Sequence, residues 1–192
     1  MADQHPGRRR VIAVVGDAVL PEGDVRREHA YALGRGIVDQ GWVVVTGGRG
    51  GVMEAAGRGA RDSERWGSGA SMAILPGHDP SAANPYVDIA LPTGLDVARN
   101  TLVAHADAVV AVGGGAGTLS EMALAWQLMR LVIGIEGEGW AGRLAGEPMD
   151  GRRRYPEIPD DCVRAARGAD HAITLLMRWL PQYGQDHPGI GR

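Results

Sequence analysis

Two glycine turns, an arginine and a glutamate are the residues of this chain whose types and spacing could do chemistry. The first turn, Gly47-Gly48-Arg49-Gly50-Gly51, follows the apolar run Trp42 to Thr46 and precedes helical spacing from Val52. The second lies in DAVVAVGGGAGTLSEMALAWQ, Asp107 to Gln127. There the wholly apolar run Ala108 to Val112 gives way to glycines, and Leu119, Met122, Ala123, Trp126 and Met129 then recur at helical spacing. A strand, a glycine turn and a helix in this order present unpaired backbone N–H groups and the positive end of a helix dipole. Phosphate is the usual occupant; a tight crossover without a ligand is the other reading. Thr118-Leu119-Ser120-Glu121 also fits the S/T-x-x-E capping box, in which Glu121 takes the Thr118 backbone N–H. Arg99 fits a surface ion pair with Asp96 or Asp107. Asp17, just after the first strand, reaches either a ribose or its own turn.

Composition removes several chemistries. All twenty basic residues are arginine. Without lysine there is no Schiff base, hence no pyridoxal-phosphate decarboxylation, and no P-loop of the GK[ST] type. Any phosphate must be held by backbone, hydroxyl or arginine groups. A net charge of −3 argues against nucleic acid as partner, since affinity for a phosphate backbone needs a basic surface. The basic runs Arg8 to Arg10 and Arg152 to Arg154 read as solvated surface. Cys162 is the only cysteine, which leaves no intrachain disulfide and reads as a small buried hydrophobe. His78 and Asp79, between prolines, read as loop residues, so no metal site is expected, and His105 reads as a helix-end contact. No apolar run approaches membrane-spanning length, and Val11 to Val15 is too short for a signal-peptide core. These features predict a cytoplasmic protein.

The elements that must position the turns follow from periodicity. Strands are expected at Val11 to Val15, Trp42 to Thr46, Ala70 to Leu75, Tyr86 to Leu91, Ala108 to Val112, Leu131 to Ile135 and, at an edge, Cys162 to Ala166. Helices are expected from Val25 to about Gln40, Val52 to Arg61, Leu95 to His105, through Leu119 to Met129, and Asp170 to Leu180. Residues 136–159, rich in Gly, Arg and Pro, read as a long loop. The alternation predicts a single α/β domain at 11–181, Rossmann-like and doubly wound, with a mainly parallel sheet and helices on both faces. Flexible ends are expected at 1–10 and 182–192. In that architecture ligands bind beyond the carboxyl ends of the strands, where both glycine turns fall.

TGGRGGVMEAAGRGA (Thr46 to Ala60), LPTGLDVARN (Leu91 to Asn100) and GGGAGTLSE (Gly113 to Glu121) occur here in an order that resembles the Lonely Guy (LOG) group of the Rossmann-like SLOG superfamily, once mislabelled lysine decarboxylases. The resemblance covers about Val11 to Ile135. Of the LOG motif PGGxGTxxE, Gly114 to Glu121 matches all but the proline, which is Gly113; the arginine-lysine pair of the preceding helix maps to Arg99 followed by Asn100. With LPGHDPSAANPYVDIALPTG (Leu75 to Gly94), these departures make the chain similar to a sister branch that includes molybdenum-cofactor carrier proteins.

The LOG resemblance implies a phosphoribohydrolase that cuts the N-glycosidic bond of a nucleoside 5′-monophosphate, with no cofactor required. Phosphate would sit on the N–H groups of Gly114, Gly115, Ala116, Gly117 and Thr118, with Gly47, Gly48, Gly50 and Gly51 lining the nucleotide site and Gly16, Asp17 and Asn100 beside it. Arg99 would hold phosphate or ribose and keep a neighbouring carboxylate ionised, and Glu121 would face the oxocarbenium-like sugar. The sister branch implies the alternative: a non-catalytic binder or carrier of a nucleotide or of molybdenum cofactor, a phosphorylated pterin. Either way the partner is a small phosphorylated ligand, and a homodimer or higher oligomer is implied.

Overall fold

The computed structural model describes residues 7–183; the expected loose ends lie partly outside the described residues. Among the described residues, seven parallel strands form one sheet in the order β4-β3-β2-β1-β5-β6-β7. They are β1 (Val11–Gly16), β2 (Val43–Thr46), β3 (Ser71–Leu75), β4 (Ile89–Pro92), β5 (Ala108–Val112), β6 (Leu131–Ile135) and β7 (Arg164–Ala166). The chain winds outward from β1 in one direction and from β5 in the other, so the switch point lies between these two strands. Their register pairs Gly16 with Val112, which brings their carboxyl ends level.

The helices are α1 (Val25–Asp39), α2 (Val52–Arg61), α3 (Asn100–Ala104), α4 (Ala116–Gln127), α5 (Gly139–Leu144) and α6 (Ala169–Trp179). Successive strand residues point to opposite faces. Ile12, Val14, Val110 and Val112 therefore join α1, α2 and α6 in one core, while Ala13, Val15, Val109 and Ala111 join α3, α4 and α5 in the other. This is the doubly wound α/β fold that the alternation predicts, with every strand parallel. No helix among the described residues is long and apolar enough to cross a membrane.

Several boundaries differ from expectation for identifiable reasons. The strand expected at Tyr86 starts at Ile89, because the Asp88 carboxylate accepts from the Ser71 N–H at 3.0 Å and ladder pairing begins beyond it, with Met72 opposite Ile89. The helix expected from Leu95 is a tight 3₁₀ turn over Asp96–Arg99 before α3. The long loop at 136–159 contains α5, six residues that are too few for a period to stand out; its Trp140 and Ala141 N–H groups donate to Gly114 and Gly113, and Ala141 and Leu144 pack on the second core. Arg154 is not surface: it is 8% exposed, forks onto Asp161 at 2.8 and 2.9 Å and lies 3.4 Å from the Trp126 ring centroid. Arg8 and Arg10 pair with buried Asp107, and Arg9 donates to backbone carbonyls of Gly41, Trp42 and Gly69.

Candidate functional site

The carboxyl ends of β1, β2, β3 and β5 surround an open cleft of about 370 Å³, floored by α4 and closed on one side by the 3₁₀ turn before α3. Its size is that of a small-ligand site. Gly16, Asp17, Gly47, Arg99, Asn100, Gly115, Gly117, Thr118 and Glu121 line it, so residues far apart in the chain converge there.

The β5–α4 turn is built before any ligand arrives. Gly113 sits at φ 63°, in the left-handed region, and a Cβ there would stand 2.5 Å from Asp17 Oδ2. Proline cannot adopt that φ, which accounts for the departure from PGGxGT. Beyond it, the Gly114 N–H donates to Asp17 Oδ2 at 2.8 Å, while the Gly113 and Gly114 carbonyls accept from Ala141 and Trp140, each at 3.0 Å. Gly114 thus has no N–H left for a ligand, and Asp17 caps a neighbouring turn instead of its own. The helix begins at Ala116, with Gly115 as its cap and no side-chain capping bond. Its first hydrogen bond is Leu119 N–H to the Gly115 carbonyl. The N–H groups of Gly115, Ala116, Gly117 and Thr118 pair with no other described residue; of these four, Ala116 does not line the cleft.

The β2–α2 turn contributes fewer groups. Gly47 lines the cleft, and the Arg99 guanidinium lies against it, close enough that a Cβ at 47 would be 2.5 Å from Nη2. Gly48, Gly50 and Gly51 do not line the cleft: Gly48 abuts Ala73 and Leu75, while Gly50 and Gly51 let the turn pass beneath Asp17 and Ala18. Val52 N–H donates to the Asp17 carbonyl at 2.9 Å, so Asp17 holds both glycine turns.

Glu121 is not part of a capping box. It lies more than one turn into α4, where Arg99 Nη1 donates to its Oε1 at 2.9 Å; the two side chains are 12% and 9% exposed. Asp96 and Asp107 are not the partners of Arg99. Burial pushes the Glu121 carboxyl up to about 7, and the attraction of Arg99 opposes that shift without overcoming it. Arg99 therefore does not hold its neighbour in the usual carboxylate range. Asn100, 8% exposed, donates to Ser120 Oγ at 2.7 Å and ties α3 to α4.

Sequence reasoning missed Arg49. It is exposed at the rim of the cleft and its side chain makes no hydrogen bond or ion pair among the described residues. The signal was available: it is the one arginine inside a glycine turn. Arg26 was also missed; at the start of α1 it donates to Asp17 Oδ2 at 3.1 Å and forks onto Asp24.

The family model described as the SLOG cluster4 family matches residues 9–154. An uncharacterized protein of Archaeoglobus fulgidus is 40% identical over 153 residues, which span 79% of this chain and 91% of that one. The structure of the molybdenum cofactor binding protein from the phototrophic bacterium Rippkaea orientalis superposes with a TM-score of 0.72 at 33% identity, over 90% of this chain and 98% of its own. The molybdenum cofactor carrier protein of Chlamydomonas reinhardtii gives 0.71 at 28% identity, over 90% and 99%.

Proposed function

We propose, for a chain that belongs to the SLOG cluster4 family, that the cleft binds and carries a small phosphorylated ligand, foremost the phosphorylated pterin of molybdenum cofactor. The observation that carries this reading is the set of N–H groups on Gly115, Gly117 and Thr118, which line the cleft beside Arg49 and pair with no other described residue. They suit the terminal phosphate of such a ligand. The apolar side chains of Val15, Met53 and Val97, together with Pro76, offer a flat ring a place to lie. Two solved structures named for binding or carrying molybdenum cofactor support the choice of pterin.

The nucleotide hydrolase implied by the LOG motifs is the second reading. A carboxyl held near 7 in the floor of the cleft favours it, because a general base is most effective near the working pH. Its burial and its bond to Arg99 weigh against it, since both withdraw Glu121 from water and sugar. A second copy of the chain is proposed as partner, covering the exposed apolar side chains of Ile89, Leu91, Leu95 and Leu102.

The deciding experiment mixes the protein anaerobically with free molybdenum cofactor and follows molybdenum through gel filtration, while AMP, CMP and GMP are incubated in parallel and free base is measured. Molybdenum that co-elutes with the protein, without base release, is expected. Base release that disappears in Glu121→Ala establishes the hydrolase instead.

A further inference from the structure

We infer that Asp17 is a positioning residue for the phosphate turn: its carboxylate stands where a ligand oxygen would otherwise bind the Gly114 N–H, and so fixes the turn and directs the ligand to Gly115 through Thr118. The inference rests on the cleft being a phosphate site, as proposed above.

Three contacts carry it. Asp17 Oδ2 accepts from Gly114 N–H at 2.8 Å. The same oxygen accepts from Arg26 Nη1 at 3.1 Å, and Arg26 is itself held by Asp24 through Nε at 2.9 Å and Nη2 at 2.6 Å. The Asp17 carbonyl accepts from Val52 N–H, the first N–H of α2. One residue at the end of β1 therefore joins the start of α1, the β2–α2 turn and the β5–α4 turn. The opposite side of the Gly113–Gly114 backbone is held by α5, so the turn is fixed from both sides. Preorganisation of this kind raises affinity because the donors need no ordering when the anion arrives. Gly113 is part of the same device, since the carboxylate leaves no room for a side chain there.

The test is a titration of the full-length protein with inorganic phosphate, read from the backbone amide signals of a ¹⁵N-labelled sample, with melting temperatures alongside. In the wild type the signals of Gly115 to Thr118 should move on adding phosphate while Gly114 stays put, with a slowly exchanging amide proton. Asp17→Asn keeps an acceptor for Gly114 and should keep both the protection and most of the affinity. Asp17→Ala should lose the Gly114 protection and bind phosphate roughly tenfold more weakly. Should Asp17→Ala not fold, Asp17→Glu displaces the carboxylate by one methylene and should show the same loss. Undiminished phosphate binding in Asp17→Ala, or in its Glu substitute, overturns the role of Asp17 alone. A wild type that binds no phosphate overturns the phosphate site and this inference with it.

Discussion

Arg99 and Glu121 meet at 2.9 Å in the floor of the cleft, one from the 3₁₀ turn before α3 and the other from the middle of α4, and both are nearly buried. A carboxylate in that position is more costly to ionise than one in water, and its single arginine partner does not offset the whole cost.

The pair makes stability depend on pH with a definite sign. The Glu121 carboxyl is raised from 4.5 to about 7 in the folded protein, so between these values the folded state binds the extra proton. Stability from this group is greatest below the unfolded value and is lost as pH rises toward 7. The loss is on the order of 3 kcal/mol at most. Melting temperatures taken from pH 5 to 8 should fall in the wild type relative to Glu121→Gln; parallel curves would contradict the shifted carboxyl.

Gly47→Ala should separate the pair without unfolding the chain. The added methyl meets the far end of Arg99, which can swing aside, and the Met53 sulfur, so the cost should stay near 1 kcal/mol. The displaced guanidinium no longer opposes the desolvation of Glu121. The pH at which stability falls should therefore move upward in this variant, as read from the same melting series.

Arg49→Ala should leave stability within about 0.5 kcal/mol, because the side chain is exposed and has no partner among the described residues. Phosphate affinity should fall about tenfold, and what remains should depend less on salt. Isothermal titration at two ionic strengths checks both; unchanged affinity would remove Arg49 from the site.

Arg154 should be the most expensive of the arginines to replace. It forks onto Asp161, donates to the Trp126 and Arg130 carbonyls at 3.0 Å, and stacks on Trp126. Arg154→Ala leaves the buried Asp161 carboxylate without its cation, held only by the Tyr183 hydroxyl among the described residues, and should cost roughly 3–5 kcal/mol in denaturant unfolding. Arg154→Lys should recover little of that, since an ammonium reproduces neither the fork nor the stack.

The sequence by itself determined the sheet, the strand–turn–helix order and the meeting of both glycine turns at one edge. Those follow from apolar runs such as Ala108 to Val112 and from helical spacing after them, which are local and periodic signals. It also determined, by the absence of lysine, that backbone, hydroxyl or arginine groups must hold any phosphate. The tertiary structure decided the rest, because the deciding partners are remote. Thr118 to Glu121 reads as a capping box until Arg99, 22 residues earlier, is seen to hold the carboxylate. Asp17 reads as a turn residue until Gly114, 97 residues later, is found donating to it. The loop at 136–159 conceals α5 because a six-residue helix is too short to stand by itself and forms by docking on the turn and on the second core. Hydrogen bonds between distant segments leave no period in a sequence, and here they decide which N–H groups remain for a ligand.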